Sequence, residues 1–274
     1  MITPLKVFKK LNRIYRRYRD SKKEINNLKN HPDERIRLLA KSLEESLRKT
    51  YSKDEQSIIQ AIEKKRKAII NENAQIAATN FPDSNKTDST KYLAKVSSKR
   101  KSWAVLQLKI IRNLKPVQGL EFGTCLGITA AYQALGMELN GSGTFTTMEG
   151  LQSRYNFSLD FFDSLDIRNI KCIQGDFNET LPEVVNDFAP FDYVFIDGDH
   201  RYESTVNYFK VLLPHLTENA IVILDDIRLT DEMFKAWNEI KSDPSVSYSF
   251  DFLQVGLCFI GSTEKKESFQ IALW

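Results

Sequence analysis

The sequence predicts an α/β fold in which a doubly wound, largely parallel sheet follows an all-helical N-terminal region. Two observations lead to this prediction. From Pro4 to about Ala77, apolar residues recur at helical spacing and no strand signal is present. After Ser102, short apolar runs alternate with amphipathic segments, a pattern that is typical of a βαβ series.

Seven strands and six helices are predicted after Ser102. The strands are Val117–Phe122, Thr144–Met148, Ile170–Gln174, Phe191–Asp197, Ala220–Asp225, Ser245–Phe250 and Gly256–Ile260. The helices are Ser102–Asn113, Gly127–Leu139, Leu151–Leu165, Leu181–Asp187, Tyr202–Leu213 and Asp231–Lys241. Parallel strands joined by right-handed crossovers form an open twisted sheet, and such a sheet binds ligands at the carboxyl ends of its strands.

The N-terminal region divides into three predicted helices, separated by breaks at residues 31–32 and 50–52. Ser52 and Glu55 have the spacing of a capping box at the start of the third helix. The polar stretch 80–90 lacks periodicity and is predicted to be a loop or linker. The first helix has an apolar face made of Leu5, Phe8, Leu11, Tyr15 and Tyr18.

The chain is predicted to have two domains of opposite charge, a basic helical region over residues 1–90 and the α/β domain over residues 91–274. Residues 1–70 carry 20 Lys and Arg against 9 Asp and Glu, whereas the whole chain has a net charge of +3. The default interpretation of the basic helices is a solvated surface. The alternatives are a lid, a homodimer interface, or peripheral contact with an anionic membrane. Nucleic acid is disfavoured because no recognised binding module is present.

Neither a membrane-spanning helix nor a secretory signal is predicted. No apolar run reaches the roughly 18 residues of a membrane-spanning helix, and the N-terminal stretch lacks the apolar block of a secretory signal. We therefore expect a cytoplasmic protein. Cys125, Cys172 and Cys258 are odd in number and lack metal-site spacing, so we expect reduced thiols.

The first predicted strand ends in a glycine-containing turn, Glu121-Phe122-Gly123-Thr124-Cys125-Leu126-Gly127, which leads directly into a helix. Glycines at such a turn allow the backbone to approach a ligand, although tight packing of strand and helix is the alternative. The spacing is G-x-x-x-G and differs from the G-x-G-x-x-G of dinucleotide sites. Pyrophosphate binding is therefore not favoured.

Acidic residues follow the next two strands. Glu149 closes the second strand, where a carboxylate can accept hydrogen bonds from both hydroxyls of a ribose. Asp176 follows the third strand and is placed to accept a hydrogen bond from an adenine amino group, while Phe177 covers the ring. Each acid taken alone could be a solvated surface residue. Together with the glycine turn, they predict an adenosine site.

The motifs LEFGTCLGITAAY, TTMEG, QGDFNETLP, FDYVFIDGDHRYE and VILDDI resemble those of the class I S-adenosylmethionine-dependent methyltransferases. Within that superfamily they are similar to the bacterial branch of the catechol- and caffeoyl-CoA-type O-methyltransferases. The resemblance covers roughly residues 100 to 262. It implies a Rossmann-like seven-stranded sheet whose last strand, Gly256–Ile260, is antiparallel. The cofactor-binding residues that it implies are Glu121, Gly123, Thr124, Gly127, Glu149, Gly150, Asp176, Phe177 and Asp197.

Three aspartates follow the fourth and fifth strands. Asp197 ends the fourth strand, and Asp225 and Asp226 end the fifth. Neighbouring carboxylates repel one another unless they are protonated or bridged by a cation, and Mg²⁺ prefers oxygen ligands. The sequence therefore predicts a Mg²⁺ site, or a site for another divalent cation, at these residues. The resemblance to metal-dependent O-methyltransferases supports the same assignment.

His200 is a candidate catalytic base, and Asp197 is a candidate catalytic residue beside it. An imidazole three residues after Asp197 can accept a hydroxyl proton near neutral pH, although a loop-structuring hydrogen bond is the alternative. Arg228 is interpreted either as a ligand for an acidic substrate or as a surface ion-pair residue. Further candidates for substrate contact are Asp199, Arg201 and Tyr202.

These observations predict a metal-assisted O-methyltransferase that uses S-adenosylmethionine and acts on a hydroxylated small molecule. Three alternatives remain open at this stage. They are a metal-independent N- or O-methyltransferase, an RNA methyltransferase guided by the basic region, and a cofactor-binding protein without catalysis. The identity of the acceptor cannot be derived, because loops shape the pocket.

Overall fold

The computed structural model describes residues 20–80, 85–262 and 266–273. The apolar face predicted for the first helix, at residues 5–18, lies outside the described residues. Within the described parts of the chain, no helix combines the length and the apolar character needed to cross a bilayer.

The described chain begins with three helices, α1 over residues 20–28, α2 over Glu34–Arg48 and α3 over Lys53–Glu72. Asp33 caps α2 by accepting a hydrogen bond from the Arg35 amide. At the start of α3, Ser52 and Glu55 form the predicted capping box. Both predicted breaks between helices are therefore confirmed.

A small antiparallel sheet follows, in which β1 (Gln75–Ala77) pairs with β2 (Thr87–Ser89). The prediction of a structureless linker over residues 80–90 is thus wrong at its C-terminal end. Each strand has three residues and mixed polarity, so neither an apolar alternation nor a β-branched run marks it in the sequence. The chain then passes through α4 (Thr90–Tyr92) and a π-helical segment (Leu93–Ser97).

The second half of the chain forms a large, mostly parallel sheet. Its strands are β3 (Gln118–Phe122), β4 (Thr144–Glu149), β5 (Ile170–Gln174), β6 (Phe191–Ile196), β7 (Leu216–Leu224), β8 (Val246–Asp251), β9 (Gly256–Ile260) and β10 (Glu267–Gln270). Their order is β10-β8-β9-β7-β6-β3-β4-β5. Strands β3 to β7 pair in parallel, and β9 runs antiparallel between β7 and β8. The predicted fold class is confirmed, with β10 added at the β8 edge.

Helices cover both faces of this sheet. They are α5 (Lys101–Leu114), α6 (Ile128–Glu138), α7 (Gln152–Asp163), α8 (Phe177–Phe188), α9 (Tyr202–Leu212) and α10 (Asp231–Ser242). Two predicted boundaries were wrong. Helix α8 begins before Leu181 because Asp176 caps it, and β7 begins before Ala220 because Leu216 pairs with Phe191.

Buried side chains form two apolar clusters on the two faces of the sheet. Along β6 the side chains alternate between them, so that Phe195 joins one cluster and Ile196 the other. Leu39 of α2 and Ile62 of α3 are fully buried in the Phe195 cluster. The N-terminal helices therefore pack on the same core as the sheet.

Replacing Ser52 with Ala should weaken the start of α3. The Glu55 amide donates to Ser52 Oγ at 3.2 Å, and loss of this cap should lower the free energy of unfolding by about 1 kcal/mol. Urea unfolding measures the difference. Ser57→Ala removes an exposed hydroxyl farther along α3 and should change stability by less than about 0.5 kcal/mol. Equal losses in the two variants would contradict the capping role.

Candidate active site

A cavity of about 570 Å³ opens at the carboxyl ends of β3, β4, β6 and β7. The sequence-predicted site residues that line it are Gly123, Glu149, Gly150, Phe177, Asp197, His200, Asp225 and Asp226. The other lining residues are Tyr92, Val96, Ser97, Lys99, Cys125, Arg154, Gly198, Asp199, Leu229 and Gln254. Four predicted residues lie outside the lining, namely Glu121, Thr124, Gly127 and Asp176.

The turn between β3 and α6 depends on glycine at two positions with positive φ. Gly123 has φ +91°, and a Cβ atom there would collide with the Asp197 carbonyl oxygen. Gly127 has φ +77°, and a Cβ atom there would lie 2.6 Å from Phe162 Cε1. Gly123 thus allows the turn to lie close to the Asp197 backbone at the cavity. Gly127 allows the packing of α6 against α7.

Glu149 is held rigidly at the cavity wall. Its Oε2 accepts a hydrogen bond from the Cys125 amide at 2.8 Å, and its Oε1 accepts one from the Leu151 amide at 2.9 Å. Burial raises the pKa of this carboxyl, against the opposing effects of the two amides and of the Arg154 charge. Each oxygen keeps a lone pair for a ligand, because a carboxylate accepts up to about four hydrogen bonds.

Glu121 lies inside the protein, behind the glycine turn. It accepts hydrogen bonds from Gln133 Nε2 and Thr147 Oγ1, each at 2.7 Å. Thr147 Oγ1 is also 2.7 Å from Thr124 Oγ1. Burial raises the pKa of Glu121 to about 8. Glu121 and Thr124 therefore support the turn from within.

Of the two residues predicted to hold the adenine, Phe177 lines the cavity and Asp176 does not. Asp176 is exposed and caps α8, with its Oδ1 accepting from the Asn178 amide at 2.8 Å. Phe177 presents its ring to the cavity and packs edge-on against Phe122, with ring centroids 5.6 Å apart. The aromatic wall is therefore in place, and the acid lies just outside it.

The three predicted metal ligands, Asp197, Asp225 and Asp226, line the same cavity, and Lys99 lines it beside them. Asp225 is fully buried, and Lys99 Nζ forms an ion pair with its carboxylate. Apart from Lys99, the Asp225 oxygens have no hydrogen-bond partner in the described ranges. Burial raises the pKa of Asp197 to about 7, an effect that the Lys99 charge partly offsets and the Asp226 charge increases.

These residues offer a divalent cation a poor set of ligands. Among the residues that the structure describes, no group of three or more His, Cys, Asp or Glu side chains could hold a metal ion. The Lys99 ammonium also occupies the Asp225 carboxylate that a metal would require. The residues therefore do not fit the predicted Mg²⁺ site. Lys99 was missed because it lies in a basic run, Lys99-Arg100-Lys101, that indicates a solvated surface.

His200 lies beside Asp197 in the cavity. Its Nε2 is 3.8 Å from Asp197 Oδ1. Burial lowers the pKa of His200, although Asp226 raises it. A neutral imidazole at this place can accept a proton from a ligand hydroxyl.

The predicted substrate-contact residues at the mouth are mostly engaged elsewhere. Arg201 pairs with Asp199 at 2.6 Å, and the Tyr202 hydroxyl bonds to Glu239. Arg228 holds Asp251 through two nitrogens at 2.6 and 2.5 Å. This is the ion-pair interpretation of Arg228. Of the further candidates for substrate contact, Asp199, Arg201 and Tyr202, only Asp199 lines the cavity.

Tyr92, Val96, Ser97 and Lys99 form one wall of the cavity. Asn80 donates to the Gly150 carbonyl at 2.8 Å and accepts from the Gln152 amide at 3.0 Å. Arg154 donates to Asp88 of β2 at 2.7 Å. These contacts place the aromatic ring of Tyr92 at the cavity edge, where it is 55% exposed.

The part of the chain that builds this cavity is similar to known methyltransferases. Residues 120–227 match the family model described as Methyltransferase domain. The chain is 32% identical over 75 residues to the mycinamicin VI 2''-O-methyltransferase of Micromonospora griseorubida. That match covers 26% of this chain and 19% of the relative, so the chain spans only about a fifth of that protein's length.

Solved structures share the fold at low identity. The S-adenosylhomocysteine-bound methyltransferase of Podospora anserina aligns with a TM-score of 0.57 at 17% identity, covering 74% of this chain and 88% of that one. The O-methyltransferase of Bacillus cereus in complex with S-adenosylhomocysteine aligns with a TM-score of 0.55 at 14% identity, covering 75% and 91%. The matched residues 120–227 include the strand ends that build the cavity, so this part of the chain is similar to a methyltransferase domain.

Proposed function

We propose that this chain is an S-adenosylmethionine-dependent O-methyltransferase that acts on a hydroxylated small molecule. One observation carries the proposal: the fixed Glu149 carboxylate and the His200 imidazole line the same cavity at the carboxyl ends of the parallel strands. The volume of about 570 Å³ is within the range of about 300–1,000 Å³ that small-molecule sites occupy.

The cofactor would lie across the ends of β3 and β4. Glu149 would accept hydrogen bonds from the ribose hydroxyls, with Gly150 beside it and Gly123 leaving room for the methionine part. Phe177 would cover the adenine. Asp176 would accept a hydrogen bond from the adenine amino group through Oδ2, because its contacts with Asn178 use only Oδ1. Glu121, Thr124 and Gly127 would shape the turn.

The chemistry needs positioning and removal of one proton. The acceptor oxygen forms a bond to the methyl carbon while the carbon–sulfur bond breaks, with its electron pair going to sulfur and leaving S-adenosylhomocysteine. The hydroxyl proton would pass to His200, and Asp197 would orient the imidazole. Mg²⁺ would take no part in this step, because the Lys99 ammonium is already paired with the Asp225 carboxylate.

The acceptor class is inferred from the walls of the cavity. Residues 92–99 and Leu229 line one side of it, which suits a small molecule better than a polymer. The mycinamicin and Bacillus cereus proteins are O-methyltransferases by name, which supports oxygen as the methylated atom. A homodimer, peripheral membrane contact, a cytoplasmic location and the division at residue 90 remain predictions.

Calorimetry with S-adenosylmethionine and S-adenosylhomocysteine tests the cofactor site. The wild-type chain should bind both, and Glu149→Gln should weaken binding about 10-fold or more because one acceptor toward the ribose becomes a donor. Glu232→Gln, an exposed acid on α10, is the matched control and should bind normally. Absence of heat with both ligands in well-folded wild-type protein would overturn the proposal.

His200→Ala should lower the rate of methyl transfer about 100-fold or more, because it removes the imidazole that would take the hydroxyl proton. The readout is S-adenosylhomocysteine released with a panel of phenols, sugars and polyols. Binding of S-adenosylhomocysteine should be unchanged. His215→Ala, outside the cavity, serves as the control. Wild-type turnover by His200→Ala would remove His200 from the base role.

Glu121→Gln should flatten the pH dependence of stability. The pKa of Glu121 is raised from 4.5 to about 8, so this group contributes stability below pH 4.5 that is lost as the pH rises to about 8. Without a charge, Gln can accept from Gln133 Nε2 through its carbonyl oxygen and donate to Thr147 Oγ1 through its amide nitrogen. Urea unfolding at the two ends of this window should show the variant gaining about 1–3 kcal/mol relative to wild type at the alkaline end. Parallel curves for the two proteins would refute a protonated Glu121.

A further inference from the structure

Lys99 is a buried lysine whose backbone is anchored on both sides. Its amide donates to Thr129 Oγ1 of α6 at 3.2 Å, and its carbonyl accepts from Arg66 of α3 at 2.7 Å. Only 7% of the residue is exposed. Because the backbone is fixed by two helices, the side chain is delivered to the cavity from a defined position, unlike that of a surface lysine.

The Lys99 ammonium lies among the strand-end acids. It pairs with the fully buried Asp225, whose carboxylate oxygens have no other partner in the described part of the chain. Its charge also acts on Asp197 and on His200, and all four residues line the same cavity. A buried carboxylate requires a compensating cation, and here that cation is covalently part of the chain.

A divalent ion and Lys99 would compete for the same carboxylate. Mg²⁺ binding would require the ammonium to leave Asp225, and the Arg66 and Thr129 anchors keep its backbone next to the acids. The remaining charge of Lys99 would repel a second cation nearby, since two charges in a partly buried site interact strongly.

We propose that the Lys99 ammonium is the built-in cation of this active site and that methyl transfer by this chain therefore needs no divalent metal. The inference rests on the proposed methyltransferase function. Lys99 holds Asp225 in place, and its ammonium stabilises the negative charge that grows on the acceptor oxygen as the proton moves to His200.

The wild-type protein provides the first test and needs no variant. Titration with MnCl₂, followed by electron paramagnetic resonance, should show no bound Mn²⁺, and methyl transfer should be the same with and without EDTA. Stoichiometric Mn²⁺ binding, or activity that EDTA removes and Mg²⁺ restores, would overturn the inference. Failure of the wild-type chain to bind S-adenosylhomocysteine would instead remove the proposed function, so the two failures are distinguishable.

Variants at Lys99 provide the second test. Lys99→Met should lower methyl transfer about 100-fold while S-adenosylhomocysteine affinity stays within about 3-fold, and Lys99→Arg should keep part of the activity. Lys99→Ala should gain Mn²⁺ binding, a change that a purely structural lysine would not produce. Lys101→Met, an exposed lysine two positions along, should behave as wild type. Full activity of Lys99→Met, with or without EDTA, would contradict the inference.

Discussion

The buried ion pair between Lys99 and Asp225 joins the helical region to the end of β7, and the arrangement of the cavity depends on it. Removing one partner of a buried pair costs about 3–5 kcal/mol, because the other charge is left without compensation. The Asp225 carboxylate has no second hydrogen-bonding or ion-pair partner among the described residues. Its negative charge is therefore tolerated only while Lys99 is present. The position of residue 99 is therefore part of the site, although it precedes every strand of the large sheet.

The segment before that sheet has a function that its charge alone does not indicate. Its basic composition suggests a solvated surface, yet residues 92–99 contribute a wall of the cavity. Arg66 of α3 illustrates the principle, since its buried guanidinium holds the Lys99 carbonyl at 2.7 Å. Helices added before a cofactor domain can thus determine the electrostatics of a site that the domain's own strands outline.

Local patterns predicted most of the sheet and many of the residues that line the cavity. Strand ends and the glycine turn are short-range features, so Glu149 and Asp197 were predicted at one edge and are found lining one cavity. The small strands β1 and β2 and the edge strand β10 were missed, because three or four residues of mixed polarity carry no periodic signal. The early start of α8 was missed because Asp176 was considered only as a ligand.

The sequence by itself determined the doubly wound fold, the resemblance to methyltransferase domains and the set of acids at the strand ends, because these follow from periodicity and from spacing within single elements. Tertiary structure decided what neutralises those acids. Lys99 and Asp225 are far apart in the chain, and their pairing depends on how α3 and α6 hold the intervening backbone. Side-chain burial and long-range pairing are properties of the packed molecule, so a buried lysine and a solvated one look the same in the sequence.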